Sequence, residues 1–261
     1  MAILQGHGDA RELLFHAPFR ASLLRGDADL AQAFALRRAA FRADRGGPDR
    51  FDAVSRHLII EDPASGVPLG TCRLRPIADG STLQETYCAE YYDLDPLLGR
   101  RGAVIEVGRL CVAPSGAAAD ILRVVWAALA RIVERERAGL LIGCASFAGT
   151  DPDRHRAAFD LLGRHHLGPD EIRPQGSARS IRFATDAPVA ARQGLAALPP
   201  LLRSYLAMGG WVGGHAVIDD AMDTIHVFTA LDVAAIPKTR RRALLSLADM
   251  MARVDAAAPH A

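Results

Sequence analysis

The sequence predicts a layered α/β or α+β domain with a central mixed sheet, and three observations carry that expectation. Apolar strand-like runs interleave with segments of helical period, the pattern of a sheet flanked by helices. Two apolar runs, His57 to Glu61 and Leu69 to Leu74, are joined by Asp62-Pro63-Ala64-Ser65-Gly66, a hairpin signal. A third run, Ala103 to Val112, carries Glu106 and Arg109 among apolar residues with Gly108 between them. A glycine inside a strand often marks a bulge, so this run is read as the bulged strand of the sheet.

The remaining elements follow in order. Asp29 to Asp44 reads as a helix with Leu30, Phe34, Arg38 and Phe41 near one stripe, closed by the breaker Gly46-Gly47-Pro48. After the bulged strand, Ala118 to Arg137 sets Ile121, Leu122, Val125, Trp126, Leu129, Ile132 and Val133 at helical spacing. Leu140 to Phe147 is a buried strand, and Asp153 to His166 a helix behind Asp151-Pro152. The second half reads as a helix from Pro199 to Met208, a glycine-rich turn from Gly209 to Gly214, a strand near Thr224 to Leu231 and a last helix from Pro237. With no repeats, low-complexity segments or evident linker, residues 1–261 are read as one domain. Residues of about 30–150 form its N-terminal core, and 151–261 complete the sheet.

Composition excludes several function classes. Half of the 261 residues are hydrophobic, enough for a sizeable core, and a net charge of +1 gives no case for general nucleic-acid binding. Cys72, Cys88, Cys111 and Cys144 are scattered without CxxC or CxxH spacing, which indicates neither a zinc site nor a disulfide framework. Adjacent His165 and His166 diverge on a helix and no HExxH occurs, so no metal is expected. Met1 to Arg11 lacks a basic segment followed by an apolar core, and no apolar run is long enough to span a bilayer. The expectation is a cytoplasmic protein with reduced thiols, a peripheral place on the inner membrane face being the open alternative.

The charged strand carries the chemistry. Glu106 and Arg109 are three apart and should point to opposite faces of a regular strand; a bulge at Gly108 would turn both to one face and free a backbone N–H. Carboxylate base, cation and free amide donor are parts that acyl transfer needs. The competing reading is a buried ion pair that fixes strand register. Nucleophilic catalysis by Ser146 or Cys144 is not expected, since no GxSxG elbow surrounds Ser146 and no histidine lies near Cys144 in sequence. Tyr91-Tyr92, beside Asp93 and Asp95, shape a pocket or pack a loop, and Trp211 lines a lipid tunnel or fills the core.

The order helix, hairpin, bulged strand, long helix, apolar strand resembles an N-acyltransferase of the GNAT superfamily. Several strings resemble the ornithine-acyl-carrier-protein N-acyltransferases of ornithine lipid synthesis. They are Phe51-Asp52 with His57-Leu58-Ile59, Gly70-Thr71-Cys72-Arg73-Leu74, and Ile105-Glu106-Val107-Gly108-Arg109. The strongest are Gly143-Cys144-Ala145-Ser146-Phe147 with Gly149-Thr150-Asp151-Pro152, and Leu198-Pro199-Pro200-Leu201-Leu202 with Gly210-Trp211-Val212-Gly213 and Ala216-Val217-Ile218-Asp219. The set spans residues of about 34–231. A more distant resemblance to acyl-homoserine-lactone synthases runs through Arg37 or Arg38, Phe41, Asp52, Arg73, Glu106 and Arg109.

The resemblance implies transfer of a (3-hydroxy)fatty acyl group from acyl-carrier protein to the α-amino group of ornithine, with no cofactor beyond the carrier's phosphopantetheine. Glu106 and Arg109 are the expected catalytic pair. Glu106 acts as base through a water, and a backbone amide at Leu110, Cys111 or Val112 donates to the oxyanion. Arg73 and Arg109 hold Glu106 or the acceptor carboxylate, Asp52 holds the acceptor's side-chain ammonium, and Arg38, Phe41 and Ser146 line the substrate site. Where coenzyme A-dependent members carry a basic glycine-rich loop, Ala113 to Ala119 has no basic residue, which favours a carrier-protein thioester. Basic residues Lys238 and Arg240 to Arg242 suggest an acidic carrier or anionic membrane as partner. The alternatives are an autoinducer synthase and a non-catalytic acyl- or carrier-binding protein of the same fold.

Overall fold

The computed structural model describes residues 11–15, 19–24, 27–41, 46–114, 117–176, 179–186 and 188–257. The chain divides into two compact units interleaved in sequence. The first holds residues 1–73, 109–131 and 244–261; the second holds 74–108 and 132–243.

In the first unit, strands β1 (Arg11–Phe15), β2 (Arg20–Leu24), β3 (Arg56–Glu61), β4 (Pro68–Ile77) and β6 (Ala103–Val112) follow one another in sheet order. Strands β4 and β6 each give residues to both units. The predicted hairpin forms as read: Asp62 accepts from the amides of Ala64 and Ser65, and Gly66 takes the left-handed φ of 69° that closes the turn. Helix α1 (Asp27–Phe41) buries Leu30 and Ala33 against Leu24 and Ile59. Its buried face also carries Arg37, while Arg38, one position further round, is exposed. Residues 42–44 of the predicted helix lie outside the described residues. Strands β1 and β2 have no counterpart in the sequence reading; each is five residues long, too short for a clear alternation of polar and apolar positions.

In the second unit the order is β6, β7 (Ala138–Ala148), β11 (Thr224–Asp232), β10 (Trp211–Asp219) and β9 (Ser180–Arg182). Strand β6 matches its predicted bounds and pairs with β7 in parallel from Ala103↔Ala138 to Val107↔Gly143. The chain passes from β6 to β7 through α3 (Ala118–Glu136), of which residues 118–131 belong to the first unit; its buried stripe Ile121, Val125, Leu129, Ile132 follows the predicted period. Strand β11 pairs antiparallel with β7 along Thr224↔Ala148 to Asp232↔Leu140, so the sheet is mixed. A small second sheet pairs β5 (Tyr92–Asp93) with β8 (Gln175–Gly176), and the short α2 (Asp95–Leu98) follows β5. Helices α4 (Arg156–His165), α5 (Ala191–Ala197) and α6 (Pro200–Ala207) complete the unit; Phe159, Leu162 and Leu202 pack with Phe147, Val212 and Val227. Helix α7 (Lys238–Ala257) begins one residue past the predicted Pro237.

Two expectations are corrected here. The glycine-rich turn shrinks to Met208 and Gly209, and Trp211 to Gly214 belong to β10, whose register shifts between Val212 and Ala216. Gly213 lies in a strand rather than a turn, where a Cβ would stand 3.3 Å from Phe228 and from the Pro174 carbonyl oxygen. In β6 the left-handed residue is Arg109, at φ 52°, and not Gly108. A non-glycine residue in that region is strained and re-aims the chain as a glycine would have done. Where β6 stops pairing with β7, Gly143 brings its Cα close to the partner strand: a Cβ there would stand 2.4 Å from the Val107 carbonyl oxygen.

Candidate active site

Each unit holds one constellation of charged side chains. In the first unit, α1 supplies Arg37, the loop after it Asp49, the turn before β3 Asp52, β4 Arg73 and β6 Arg109. Arg37 is 1% exposed; its guanidinium donates to Asp52 Oδ1 at 2.8 Å and to the Gly47 carbonyl at 2.9 Å. Arg73 donates to Asp49 and, at 3.2 Å, to Asp52 Oδ1. Arg109 donates to Asp49 Oδ2 at 2.9 Å. The Asp49 amide donates to Asp52 Oδ2 at 2.8 Å. Aromatic faces back the cations: Phe34 under Arg37, Phe51 under Arg73, Phe41 under Arg109 at 6.0 Å.

The electrostatics follow from burial against pairing. Burial opposes the Asp52 charge, but the hydrogen bond from Arg37, the Asp49 amide and the neighbouring guanidiniums outweigh it, so the carboxyl is held below its ordinary range. Burial lowers the Arg37 pKa despite Asp52, and lowers that of His57, whose Nε2 lies 3.3 Å from the Asp52 carbonyl.

In the second unit, Glu106 is 3% exposed, and its two oxygens accept from the amides of Cys88 at 2.8 Å and Tyr87 at 3.1 Å. The short 3₁₀ turn Cys88–Glu90 aims these amides. The Cys88 sulfur lies 3.7 Å from that of Cys144 on β7. Strand β11 sets His226 in register with Ser146, two residues on from Cys144 on the same sheet face. His226 is 1% exposed; Nδ1 lies 3.2 Å from the Tyr92 hydroxyl, which also donates to the His226 carbonyl at 2.8 Å. At the end of β10, Asp219 is 4% exposed: Oδ1 accepts from the Met222 amide at 3.0 Å, and Oδ2 from the hydroxyls of Tyr91 at 3.1 Å and Tyr87 at 3.4 Å.

The hydrogen bond from Cys88 leads in drawing the Cys144 thiol down to about 6, with help from His226, while burial pushes Cys88 well up. Burial works against a charged His226, but Cys144 and Asp219 outweigh it and raise its pKa. Burial first, then nearby charge, pushes the Tyr87 phenol up and that of Tyr91 to about 12, so both are neutral donors.

The sequence-predicted residues thus divide. Arg73, Arg109, Phe41 and Asp52 come together, joined by Asp49, which the reading did not select, and by Arg37, the alternative to Arg38. Asp52 is paired with Arg37 and Arg73, two guanidiniums with which an acceptor ammonium would have to compete. Glu106 is held by amides, not by Arg73 or Arg109, whose partner is Asp49. Ser146 is exposed on the Cys144 face, Leu110 and Val112 are half-buried, and Cys111 is buried. The amide of Ala113 is taken by the Leu69 carbonyl; Ser115 and Gly116 of the Ala113 to Ala119 loop lie outside the described residues. A histidine does reach Cys144, brought by strand pairing across a long sequence gap. Tyr91 and Tyr92 face this constellation, while Trp211 packs on Phe228 as a core residue. Among the described residues no cluster fit to hold a metal occurs, and no helix is long and apolar enough to cross a membrane.

Residues 32–127 match the model of the acetyltransferase (GNAT) domain. An L-ornithine N(alpha)-acyltransferase of Rhodobacter capsulatus is 30% identical over 199 residues, covering 74% of this chain and 77% of the relative. One of Brucella abortus is 30% identical over 198 residues, covering 72% and 70%. Among solved structures, the N-acyl amino acid synthase FeeM from uncultured soil microbes aligns with a TM-score of 0.40 at 13% identity, covering 89% of this chain and 99% of its own. The acyl-homoserine-lactone synthase LasI aligns at 0.39 and 14%, covering 84% and 91%.

Proposed function

The chain belongs to the L-ornithine Nα-acyltransferase family, with a GNAT acetyltransferase domain, and on that premise we propose that it moves a 3-hydroxyfatty acyl group from acyl-carrier protein to the α-amino group of ornithine. The product is lyso-ornithine lipid. The observation that carries the reading within this chain is Glu106: a buried carboxylate on β6, held by two backbone amides and by no cation among the described residues. A base held by neutral donors keeps its orientation without a counter-charge to compete for the proton.

In the proposed reaction the amine attacks the thioester carbonyl and gives its proton to Glu106 through a water. The amide of Leu110, Cys111 or Val112 donates to the developing oxyanion. Collapse of the tetrahedral intermediate breaks the carbon–sulfur bond, and the pantetheine thiolate takes up the proton that Glu106 holds. The positive surplus of the first constellation, Arg37, Arg73 and Arg109 against Asp49 and Asp52, suits a carboxylate or phosphate group.

A carrier-protein donor is supported by the lack of basic residues from Ala113 to Ala119. The exposed Lys238, Arg240, Arg241 and Arg242 at the start of α7 suit an acidic carrier or an anionic membrane face. The test compares acyl-carrier protein with coenzyme A carrying the same acyl chain, with ornithine as acceptor. A far higher kcat/KM for the carrier thioester is expected; equal values overturn the donor assignment. Mass spectrometry of lipids from a host without aminolipids, expressing this chain, tests the product.

A further inference from the structure

With Asp52 closed within its ion pairs, the question becomes which carboxylate meets the second amine of a diamino acid. Asp219 differs from Asp52 in every respect that matters. It is 4% exposed, yet its partners are one turn amide and two tyrosine hydroxyls, none of them cationic. Burying a carboxylate without a counter-charge is costly, and such a group is commonly one whose partner arrives with the ligand. Tyr87 ties it to the reaction centre: its amide holds Glu106 and its hydroxyl holds Asp219, so one tyrosine separates the two carboxylates.

The neighbouring groups leave this negative charge unbalanced. Whether the proton between Cys144 and His226 sits on sulfur or on imidazole, that pair sums to zero, and the phenols of Tyr87 and Tyr91 stay neutral. His226, buried beside Asp219, turns to the Cys144 sulfur and brings no net charge to the carboxylate. Two carboxylates one tyrosine apart match a molecule with two amines on a short chain.

We propose that Asp219, framed by the hydroxyls of Tyr87 and Tyr91, receives the side-chain ammonium of the acceptor and so selects a diamino acid over a neutral one. This rests on the reading of the chain as an ornithine acylase. Glu106 then meets the α-amine and Asp219 the distal one, the two phenols holding Oδ2 toward the ligand.

The test uses the purified full chain, a 3-hydroxyacyl-carrier protein, and two acceptors: ornithine, and norvaline, which has the same carbon chain without the distal amine. Wild type should prefer ornithine. Asp219→Asn should raise the KM for ornithine about 10- to 100-fold, the worth of a charge-assisted hydrogen bond, with a far smaller change in kcat and none for norvaline. Equal loss with both acceptors, or no change with ornithine, overturns the proposal and leaves ornithine acylation standing. If Asp219→Asn fails to fold, wild type still decides: norvaline used as well as ornithine overturns it. Wild type that acylates no amino acid overturns both the function and the subsite.

Discussion

The two constellations differ in how their charges are met. Around Asp49 and Asp52, every carboxylate has a guanidinium and every guanidinium a carboxylate or carbonyl, with aromatic faces behind. Around Glu106 and Asp219, the carboxylates accept from amides and phenols, and no guanidinium bonds them among the described residues. A network closed on itself holds a fold; a network short of cations is built around something it lacks. Asp52, Arg73, Glu106 and Arg109 were expected to act together; Asp52, Arg73 and Arg109 share one paired network, and Glu106 is held by neutral donors.

The sharpest way to break that division is Glu106→Gln. It keeps shape and should leave the melting temperature close to that of the wild type, while turnover falls about 10²- to 10⁴-fold as general base catalysis is lost. A matching loss of thermal stability with activity near normal would move Glu106 to the structural side. Next in size is Arg37→Ala, which leaves Asp52 buried without its main partner and should cost about 3–5 kcal/mol in denaturant unfolding. A cost near zero would show the network to be dispensable.

Arg109→Lys sharpens the comparison, because Arg109 bonds Asp49 yet lies on the strand that carries Glu106. Lysine keeps the charge and loses the planar fork, and about 1.5–3 kcal/mol of stability should go with the charged hydrogen bond. If activity falls by more than stability explains, Arg109 also serves the substrate. The smallest effect is on pH dependence. The Asp52 carboxyl is depressed in the folded state below its ordinary value of 3.8, so its stabilisation is complete above that value and is lost as pH falls through the folded pKa. Acid titration of unfolding stability should show this slope in wild type and not in Asp52→Asn.

Much of this was legible in the sequence. The bounds of β6, the hairpin before it and the long crossover helix follow from apolar period and turn chemistry, which are local. Arg73, Glu106 and Arg109 stood out because charges inside apolar runs need partners. The partners themselves were hidden. Asp49 sits beside Gly46-Gly47-Pro48 and looks like a solvated loop residue, and it meets Arg73 and Arg109 only through the fold. Choosing Arg38 over Arg37 was an error of one position, 100° of helix rotation, which periodicity with few apolar markers does not resolve. His226 and Asp219 were invisible for a different reason: the β7–β11 register brings His226 to Cys144, and no spacing in the chain encodes that register.

That register has a consequence for how the protein is made. Strand β11 covers the open edge of β7 from Leu140 to Ala148, but β7 ends at Ala148 and β11 begins at Thr224. On the ribosome β7 must therefore wait through the synthesis of α4, α5, α6 and β10 with one apolar edge unpaired. An exposed strand edge invites pairing with other chains. Chains halted between Ala148 and Thr224 should accordingly aggregate or be degraded rather than accumulate as a soluble half, and His226 joins Cys144 only once β11 has been made.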